Sequence, residues 1–350
     1  MTDQPTDTSF GEAPARGEVP GGGARADAHL HDLVEVTNVD QLGAGPDDDV
    51  TALDDDSGDA TVDVARPPLP PARFVDLSDD DRGDLGTIVV RDHGPTASAA
   101  ADGTPVALLH GWTATADLNW FRCYDGVAND RRVFAYDHRG HGSGIRTKKR
   151  FRLEDCADDV VAVADRLGID RFVVCGYSMG GPIAQLVWRR HPERVAGLVL
   201  CATAATFSSQ RAERWSFFGL TGLAALARVT PEQARGWLTE QFYLQRKADR
   251  WEPWAIEEAA SHDWRLLLEA GSAIGDFDST DWIGDVDVPV SLLVTTRDQV
   301  VSPRRQTQLF ELIRHADVYR IDGMHDACVA DADHFAPALV RALDSIERRR

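Results

Sequence analysis

The chain has 350 residues, of which 43% are hydrophobic and 27% charged, and its formal net charge is −20 at pH 7. This composition is typical of soluble globular proteins and excludes collagen-like, low-complexity and membrane-spanning classes. The negative balance offers no basic face for nucleic acid and argues against an anionic membrane as partner.

The negative charge is concentrated at the amino-terminal end. Residues 1–72 hold sixteen Asp and Glu against three Arg, a net of −13, which leaves −7 for residues 73–350. The segment is rich in Asp, Gly, Ala and Pro, so it cannot bury enough apolar surface to offset the entropy lost on ordering. We therefore predict that residues 1–72 form a disordered acidic tail.

Cysteine usage and apolar runs bear on the compartment. The five cysteines are an odd number without C-x-x-C or zinc-like spacing, which argues against a disulfide framework. The first twenty residues lack a basic region followed by an apolar run, and no stretch reaches the roughly 18 apolar residues of a membrane span. We expect a cytoplasmic protein without stable membrane insertion. The sequence leaves its oligomeric state open.

From residue 73 onward, short apolar runs alternate with longer helical patterns. This alternation is the signature of βαβ units and a largely parallel sheet, and hence of an α/β fold. The predicted strands are Gly86–Arg91, Pro105–Leu109, Arg132–Tyr136, Arg171–Cys175, Val195–Cys201, Val290–Thr295 and Asp317–Ile321. The clearest predicted helices are Glu154–Leu167, Met179–Arg190, Pro303–Arg314 and Ala332–Arg349.

One interval interrupts the alternation. Residues 206–285 are helical in pattern, lack a strand-like run and hold six of the nine tryptophans. Insertions beyond the carboxyl ends of parallel strands are where such folds build their sites. We predict a helical cap at 206–285, inserted into a core formed by 73–205 and 286–350.

The strongest chemical signal is Gly-Tyr-Ser-Met-Gly-Gly at 176–181, between an apolar run and a helical pattern. A sharp strand-to-helix turn strains the central residue and needs small neighbours on either side, so it would present the Ser178 hydroxyl above the sheet. The adjacent helix amino terminus favours developing negative charge. Ser178 is therefore the candidate nucleophile.

A serine nucleophile needs a base, and the base needs a partner that fixes its tautomer. Asp298 follows the strand Val290–Thr295, and His325 follows the strand that ends at Ile321. Serine, acid, histidine is the chain order expected of a nucleophile elbow in the middle of a sheet. Asp322 and Asp326 are alternative acids, but their closeness to His325 in sequence would require a tight chain reversal.

The loop His110-Gly111-Trp112 follows the predicted strand Pro105–Leu109. Acyl transfer places negative charge on a carbonyl oxygen, which calls for two preorganised N–H donors. We assign these donors to the backbone amides of Trp112 and Met179. His110 itself is interpreted as a structural residue beneath the loop. Trp112, Trp120 and Tyr177 are the candidate lining of an apolar substrate pocket.

Together these motifs resemble the α/β-hydrolase superfamily over essentially all of residues 73–350. The resemblance rests on HGW at 110–112, DHRGHGS at 137–143, GYSMGG at 176–181, RVAGLVL at 194–200, Asp298 and His325. HGW with ADLNW at 116–120 and Ser-Met-Gly-Gly is similar to the branch of small esterases and cofactor-free perhydrolases, also called non-haem haloperoxidases. It implies an eight-stranded, mostly parallel sheet flanked by helices, a cap after the sixth strand, and no cofactor.

Departures from related patterns exclude other activities and a metal site. Haloalkane dehalogenases and epoxide hydrolases of this fold use aspartate at the elbow, where this chain has Ser178, and the former place a tryptophan where it has Met179. His138 and His141 form an H-x-x-H pattern, but Gly140 and Gly142 indicate a turn. No carboxylate or cysteine cluster completes a ligand set. We expect no metal.

These observations favour a serine hydrolase that cleaves a small hydrophobic carboxylic ester, with an apolar acyl or alcohol group, through an acyl-enzyme. Two alternatives keep the same triad: perhydrolysis, in which peroxide replaces water, and hydrolysis of a C–C bond. A non-catalytic binding protein is the alternative from another class, and the ordered triad argues against it.

Overall fold

The computed structural model describes residues 66–78, 83, 85–94, 103–207 and 252–350. These residues belong to one compact unit, Val62–Arg350. Most of the predicted tail, residues 1–65, lies outside the described residues. So does the part of the predicted cap from 208 to 251, which includes Trp215, Trp237 and Trp251.

The centre of the unit is an eight-stranded sheet with strand order β1-β2-β4-β3-β5-β6-β7-β8. Strands β1 and β2 are antiparallel to each other, β2 is antiparallel to β4, and the remaining pairs are parallel. The mostly parallel eight-stranded sheet and all seven predicted strands are confirmed. The strands are β1 Ala72–Asp76, β2 Thr87–His93, β3 Gly103–Leu109, β4 Arg131–Tyr136, β5 Phe172–Tyr177, β6 Val195–Cys201, β7 Val290–Thr295 and β8 Asp317–Ile321.

Strand β1 has no counterpart among the strands predicted from individual sequence runs. It is five residues long, lies at the edge of the sheet, and buries only Val75, while the Phe74 side chain is 80% exposed. Pro67 and Pro70 just before it are buried, and the Arg91 guanidinium donates to the Pro70 carbonyl at 2.8 Å. Pro67, Leu69 and Pro70 thus pack on the core, although the sequence analysis placed them in the tail.

The helices flank the sheet on both faces. Successive residues of β3 alternate between two apolar clusters: Ala107 joins the cluster under α3 and α4, and Leu108 joins the cluster under α2 and α9. The molecule is therefore a helix–sheet–helix sandwich. The helices within the described residues are α1 Ala116–Trp120, α2 Tyr124–Val127, α3 Leu153–Arg166, α4 Gly180–Arg190, α5 Glu252–Ala260, α6 Trp264–Asp276, α7 Pro303–Leu312, α8 Ala327–Ala330 and α9 Ala332–Arg348.

The four predicted helices correspond to α3, α4, α7 and α9 and are confirmed. Within the predicted cap, the described residues form α5 and α6, and Thr206 makes an isolated antiparallel bridge with Asp278. Across the described part of the chain, no helix has the length and apolar character needed to cross a membrane.

The parallel strands bring the chemical motifs to one edge. The loops after β3, β5, β7 and β8 carry Trp112, Ser178, Asp298 and His325, respectively. Because the carboxyl ends of parallel strands meet at the same edge of a sheet, segments far apart in sequence can contribute to one site.

Candidate active site

Ser178 occupies a strained turn between β5 and α4. Its φ is 50°, a left-handed conformation that costs energy for a residue with a side chain. The chain passes so closely that a Cβ on Gly176 would lie 2.1 Å from the Gly180 carbonyl oxygen, and one on Gly180 would lie 2.3 Å from that of Leu109. The two glycines are thus required by backbone contacts on either side of the serine.

Neighbouring strands hold this turn in place. The Ser178 N–H donates to the Cys201 carbonyl at 2.9 Å, and the Thr203 hydroxyl donates to the Ser178 carbonyl at 2.8 Å. A Cβ on Gly181 would come within 2.1 Å of the Thr203 hydroxyl oxygen, so a glycine is needed there too. The surrounding structure therefore stabilises the strained serine conformation.

The serine, histidine and aspartate form one hydrogen-bonded chain. His325 Nε2 lies 3.0 Å from Ser178 Oγ, and His325 Nδ1 lies 2.8 Å from Asp298 Oδ2. Both distances fall in the range for a base that accepts a hydroxyl proton while a carboxylate orients its ring. The structure thus brings together the three residues that the sequence analysis selected.

Asp298 is buried and accepts four hydrogen bonds besides that from His325. The Val300 and Val301 amides donate to Oδ1, both at 2.8 Å, and the Thr295 hydroxyl and Gln306 amide donate to Oδ2 at 2.8 and 3.0 Å. Burial alone would raise the pKa of this carboxyl, but the His325 hydrogen bond and charge, together with the other donors, hold it below its usual range. Asp298 therefore remains an anion near neutral pH.

The two alternative acids lie elsewhere. Asp322 is exposed and pairs with the Arg297 side chain at 3.1 Å, while Asp326 precedes α8 and is exposed. The His325 carbonyl accepts a 2.6 Å hydrogen bond from the Tyr177 hydroxyl, which anchors the histidine loop to the end of β5.

The backbone amides of Trp112 and Met179, which the sequence analysis assigned as oxyanion donors, follow β3 and β5, respectively. Met179 immediately precedes α4, where helix N–H groups have no intrahelical acceptor. Within the described residues, neither amide donates to a protein acceptor. A Cβ added to Gly111 would lie 3.3 Å from the Ser178 Cβ, so the loop after β3 lies against the serine.

His110 braces this loop from below. Its Nε2 accepts from the His138 N–H at 2.9 Å, and its Nδ1 therefore carries the proton and donates to the Gly111 carbonyl at 2.8 Å. Burial lowers the pKa of His110 to about 4, so the ring is neutral at pH 7. Both ring nitrogens are occupied by backbone groups, which fits a structural residue.

Comparisons with known proteins identify the family. A model of the α/β hydrolase fold matches residues 104–329. The chain belongs to the α/β hydrolase fold family. It is 29% identical over 229 residues to a non-heme chloroperoxidase of Streptomyces lividans, a match that covers 61% of this chain and 79% of that one.

Two further matches cover very different shares of this chain. A thermophilic esterase structure from Thermogutta terrifontis superimposes with a TM-score of 0.63 at 22% identity, covering 79% of this chain and 99% of that one. The acetyltransferase component of an acetoin cleaving system from Pseudomonas putida is 37% identical over 102 residues, or 29% of this chain. The match covers 27% of that relative's length.

The predicted pocket residues occupy different depths in this α/β hydrolase. Trp112 is half-buried, and its indole N–H donates to the Leu267 carbonyl on α6 at 2.8 Å. Trp120 has no exposed surface and meets Tyr177 edge to face, with ring centroids 6.0 Å apart. Trp120 and Tyr177 therefore support the site from the core, and only Trp112 exposes part of its side chain.

The cysteines and the two histidines of the H-x-x-H pattern are buried. None of the five cysteines forms a disulfide, and the Cys328 sulfur accepts from the Asn119 side-chain amide at 3.5 Å. His138 and His141 lie in the turn after β4. Among the described residues, no group of three or more His, Cys, Asp or Glu side chains is arranged to hold a metal ion.

Sequence reasoning missed several supporting residues. Asn119 accepts from the Gly111 N–H at 3.0 Å and so fixes the loop after β3. Thr295 and Gln306 hold Asp298, and His262 contacts the turn after β4 from the predicted cap. Gln306 carried a usable signal, since a polar residue falls on the buried face of α7. The other partners depend on contacts between segments distant in sequence.

Proposed function

We propose that this α/β hydrolase is a serine hydrolase that cleaves a carboxylic ester with an apolar acyl or alcohol group. The observation that carries the proposal is the continuous chain from Ser178 Oγ through His325 to Asp298, at 3.0 and 2.8 Å. The backbone amides of Trp112 and Met179 donate to no acceptor in the described part of the chain, so they are suited to bind the carbonyl oxygen during acyl transfer.

In the first half-reaction, Ser178 Oγ attacks the ester carbonyl while His325 Nε2 takes the hydroxyl proton. The negative charge that develops on the carbonyl oxygen is stabilised by the two amides. Asp298 keeps the proton of His325 on Nδ1 and stabilises the imidazolium that forms. Collapse of the intermediate releases the alcohol, which receives its proton from His325, and leaves the acyl group on Ser178.

In the second half-reaction, His325 removes a proton from water, and the resulting hydroxide attacks the acyl-enzyme. A second tetrahedral intermediate forms against the same amides, and its collapse releases the carboxylic acid and returns the proton to Ser178. None of these steps calls on a cofactor. The half-buried Trp112 indole belongs to the loop that lies against Ser178, and its apolar surface favours an apolar substrate group.

Hydrolysis of p-nitrophenyl esters from acetate to dodecanoate tests the proposal. We expect wild type and a Ser78→Ala control, altered at the far edge of the sheet, to show the same chain-length optimum. Ser178→Ala should lose turnover on every ester. Equal turnover by wild type and Ser178→Ala would reject the serine mechanism. Inactivity of folded wild type on all esters would instead direct attention to C–C bond hydrolysis or a binding role.

Perhydrolysis is a second candidate, and the similarity to a chloroperoxidase favours it specifically. Peroxide would then attack the acyl-enzyme in place of water, giving a peracid and free Ser178. Measuring peracid and free acid from one ester in the presence of peroxide separates the two outcomes. A peracid yield no higher than that of Ser178→Ala would exclude perhydrolysis by the enzyme.

A further inference from the structure

Four buried histidines form a continuous row beside the loop His110-Gly111-Trp112 after β3, which we call the oxyanion loop because it carries the proposed donor Trp112. His110 follows β3, His138 and His141 lie in the turn after β4, and His262 lies between α5 and α6. Ring centroids are 4.3 Å apart for His110 and His138, 5.2 Å for His110 and His141, and 5.3 Å for His141 and His262. The row therefore runs from the predicted cap to the loop that carries Trp112.

Two hydrogen bonds in this row require neutral rings. The Gly142 N–H donates to His262 Nδ1 at 2.9 Å, and the His138 N–H donates to His110 Nε2 at 2.9 Å. A protonated imidazole has no acceptor nitrogen, so protonation would set two N–H groups against each other at either position. Each contact is thus compatible with only one protonation state of the ring.

The contacts next to His262 fasten α6 to the turn after β4. The Asp263 N–H donates to the Gly140 carbonyl at 2.8 Å, and the Arg146 guanidinium donates to the Ser261 carbonyl at 2.6 Å. A Cβ on Gly140 would lie 2.2 Å from the Leu266 Cβ, so the first turn of α6 lies directly on this backbone. His262 is at the centre of this attachment.

The same end of α6 also holds the oxyanion loop. The Leu267 carbonyl, five residues after His262, accepts from the Trp112 indole. A shift of α6 relative to the turn after β4 would therefore be transmitted to the segment that presents the Trp112 amide.

We propose that His262 is a positioning residue: in its neutral form it seats α6 on the turn after β4 and so fixes the oxyanion loop, and its protonation releases this attachment. This inference rests on the proposed function for its effect on turnover. Its structural part, a pH-dependent contact between α6 and the Gly140–Gly142 turn, stands independently.

The charged groups around the row oppose burial only in part: Asp137 raises the pKa of His262, and Arg146 lowers it. In the described residues, none of the four rings is hydrogen-bonded to a carboxylate. Asp137 accepts from the Ala116 and Ser143 amides, and Arg139 pairs with Asp159 at 2.6 Å. The ionisable side chains that act on the row from neighbouring elements are Tyr136, whose ring meets that of His138, and Asp137 and Arg146, whose charges act on His262.

Burial is the largest influence on the row and lowers the pKa of His262 to about 4, with the neighbouring His110 lowering it further and Asp137 opposing. Burial likewise lowers the pKa of His138 and His141. These directions agree with the hydrogen-bond geometry, which requires neutral rings at His262 and His110.

The test compares His262→Asn, His262→Ala and the exposed control His334→Asn with wild type between pH 4.5 and 8.5. Asparagine places a carbonyl oxygen near the position of Nδ1 and can accept from Gly142, but it takes up no proton. The two readouts are kcat and KM on the best p-nitrophenyl ester, and amide hydrogen exchange of residues 110–116 and 138–146, corrected for the intrinsic pH dependence of exchange. Exchange is decisive, because it reports the contact between α6 and the turn after β4 without depending on turnover.

For wild type and His334→Asn we expect protection of both segments to fall at least tenfold toward pH 4.5. His262→Asn should keep kcat within about threefold at pH 7.5 and lose much less protection in acid. His262→Ala should lower kcat at least tenfold at pH 7.5, with a smaller change in KM, and lose protection at every pH.

Acid-sensitive exchange in His262→Asn equal to that of wild type would overturn the proposal. So would wild-type kcat and protection in His262→Ala. If His262→Ala does not fold, His262→Asn alone decides. A wild type that turns over no ester contradicts the proposed function but leaves the exchange comparison valid, so the two failures are distinguishable.

Discussion

The indole N–H of Trp112 donates to the backbone carbonyl of Leu267 at 2.8 Å, and this bond joins the loop after β3 to helix α6. Trp112 therefore has two separable parts: its backbone amide is the proposed oxyanion donor, and its side chain fixes the position of that amide.

Trp112→Phe removes the indole bond and keeps the amide. Loss of one such hydrogen bond costs about 0.5–1.5 kcal/mol, so we expect the free energy of unfolding to fall by that amount. Because the amide would be held less firmly, kcat should fall by roughly 3- to 30-fold. Denaturant unfolding and ester kinetics check both expectations, with Trp282→Phe as the control, since Trp282 stacks on Trp188. A kcat equal to that of Trp282→Phe would contradict the role of the indole.

Replacing Asp298 should impair turnover much more than stability. Asp298→Asn cannot stabilise the imidazolium of His325 and favours the wrong tautomer, so we expect kcat to fall by about 10²- to 10⁴-fold. Thr295→Ala removes one of the five hydrogen-bonding partners of Asp298, and its effect should stay within about tenfold. Ester kinetics above pH 7 measure both. A larger loss for Thr295→Ala than for Asp298→Asn would show that the acid has been misassigned.

The close backbone approach at the serine turn predicts a steric effect. Gly180→Ala places a methyl group 2.3 Å from the Leu109 carbonyl oxygen, so the backbone must shift at a cost of about 1–3 kcal/mol. Gly126→Ala meets only the Val340 side chain, at 3.7 Å, and should be neutral or slightly stabilising in helix α2. Thermal unfolding of the two variants gives the comparison. Equal midpoints would mean that the turn has more room than the structure shows.

The buried histidines predict acid sensitivity of the folded state. Because the pKa values of His110 and His262 are lowered to about 4, the unfolded chain takes up protons first as the pH falls below about 6.5. The free energy of unfolding should therefore be constant with respect to these rings above pH 6.5 and decline between pH 6.5 and 4. Each ring contributes on the order of 3 kcal/mol to the decline.

Urea unfolding at several pH values measures this decline, and His262→Asn should make it shallower. Asp298 adds a second loss at lower pH: its pKa is held below the usual value, so its contribution is present above about pH 3.9 and disappears as the pH falls through the folded-state pKa. Stability that does not change from pH 7 to pH 4.5 would contradict buried, neutral rings.

The order of motifs allowed much of the site to be predicted from the sequence. Ser178, Asp298 and His325 each follow an apolar run, and parallel strands bring such positions to one edge whatever lies between them. The glycines around Ser178 were informative because only a tight turn requires them. The acid could be chosen over Asp322 and Asp326 by considering how far the chain must reverse.

The supporting contacts could not be predicted in the same way. Trp112 is followed by 154 residues before Leu267, and the Trp112 sequence context contains no sign of that carbonyl. His262 lies just before α6, and its hydrogen bond from the Gly142 amide joins positions 120 residues apart, so nothing in the local sequence indicates it. Strand β1 was missed because an edge strand that buries only Val75 has almost no hydrophobic pattern.

The central claim is that Ser178 is a nucleophile activated by His325. The most direct measurement is mass spectrometry of the folded protein after reaction with a fluorophosphonate, with peptide mapping of the adduct. If His325 activates Ser178, we expect a single adduct on Ser178 in wild type and much slower labelling in His325→Ala. Folded wild type that stays unlabelled, or that carries the adduct on another residue, would contradict it.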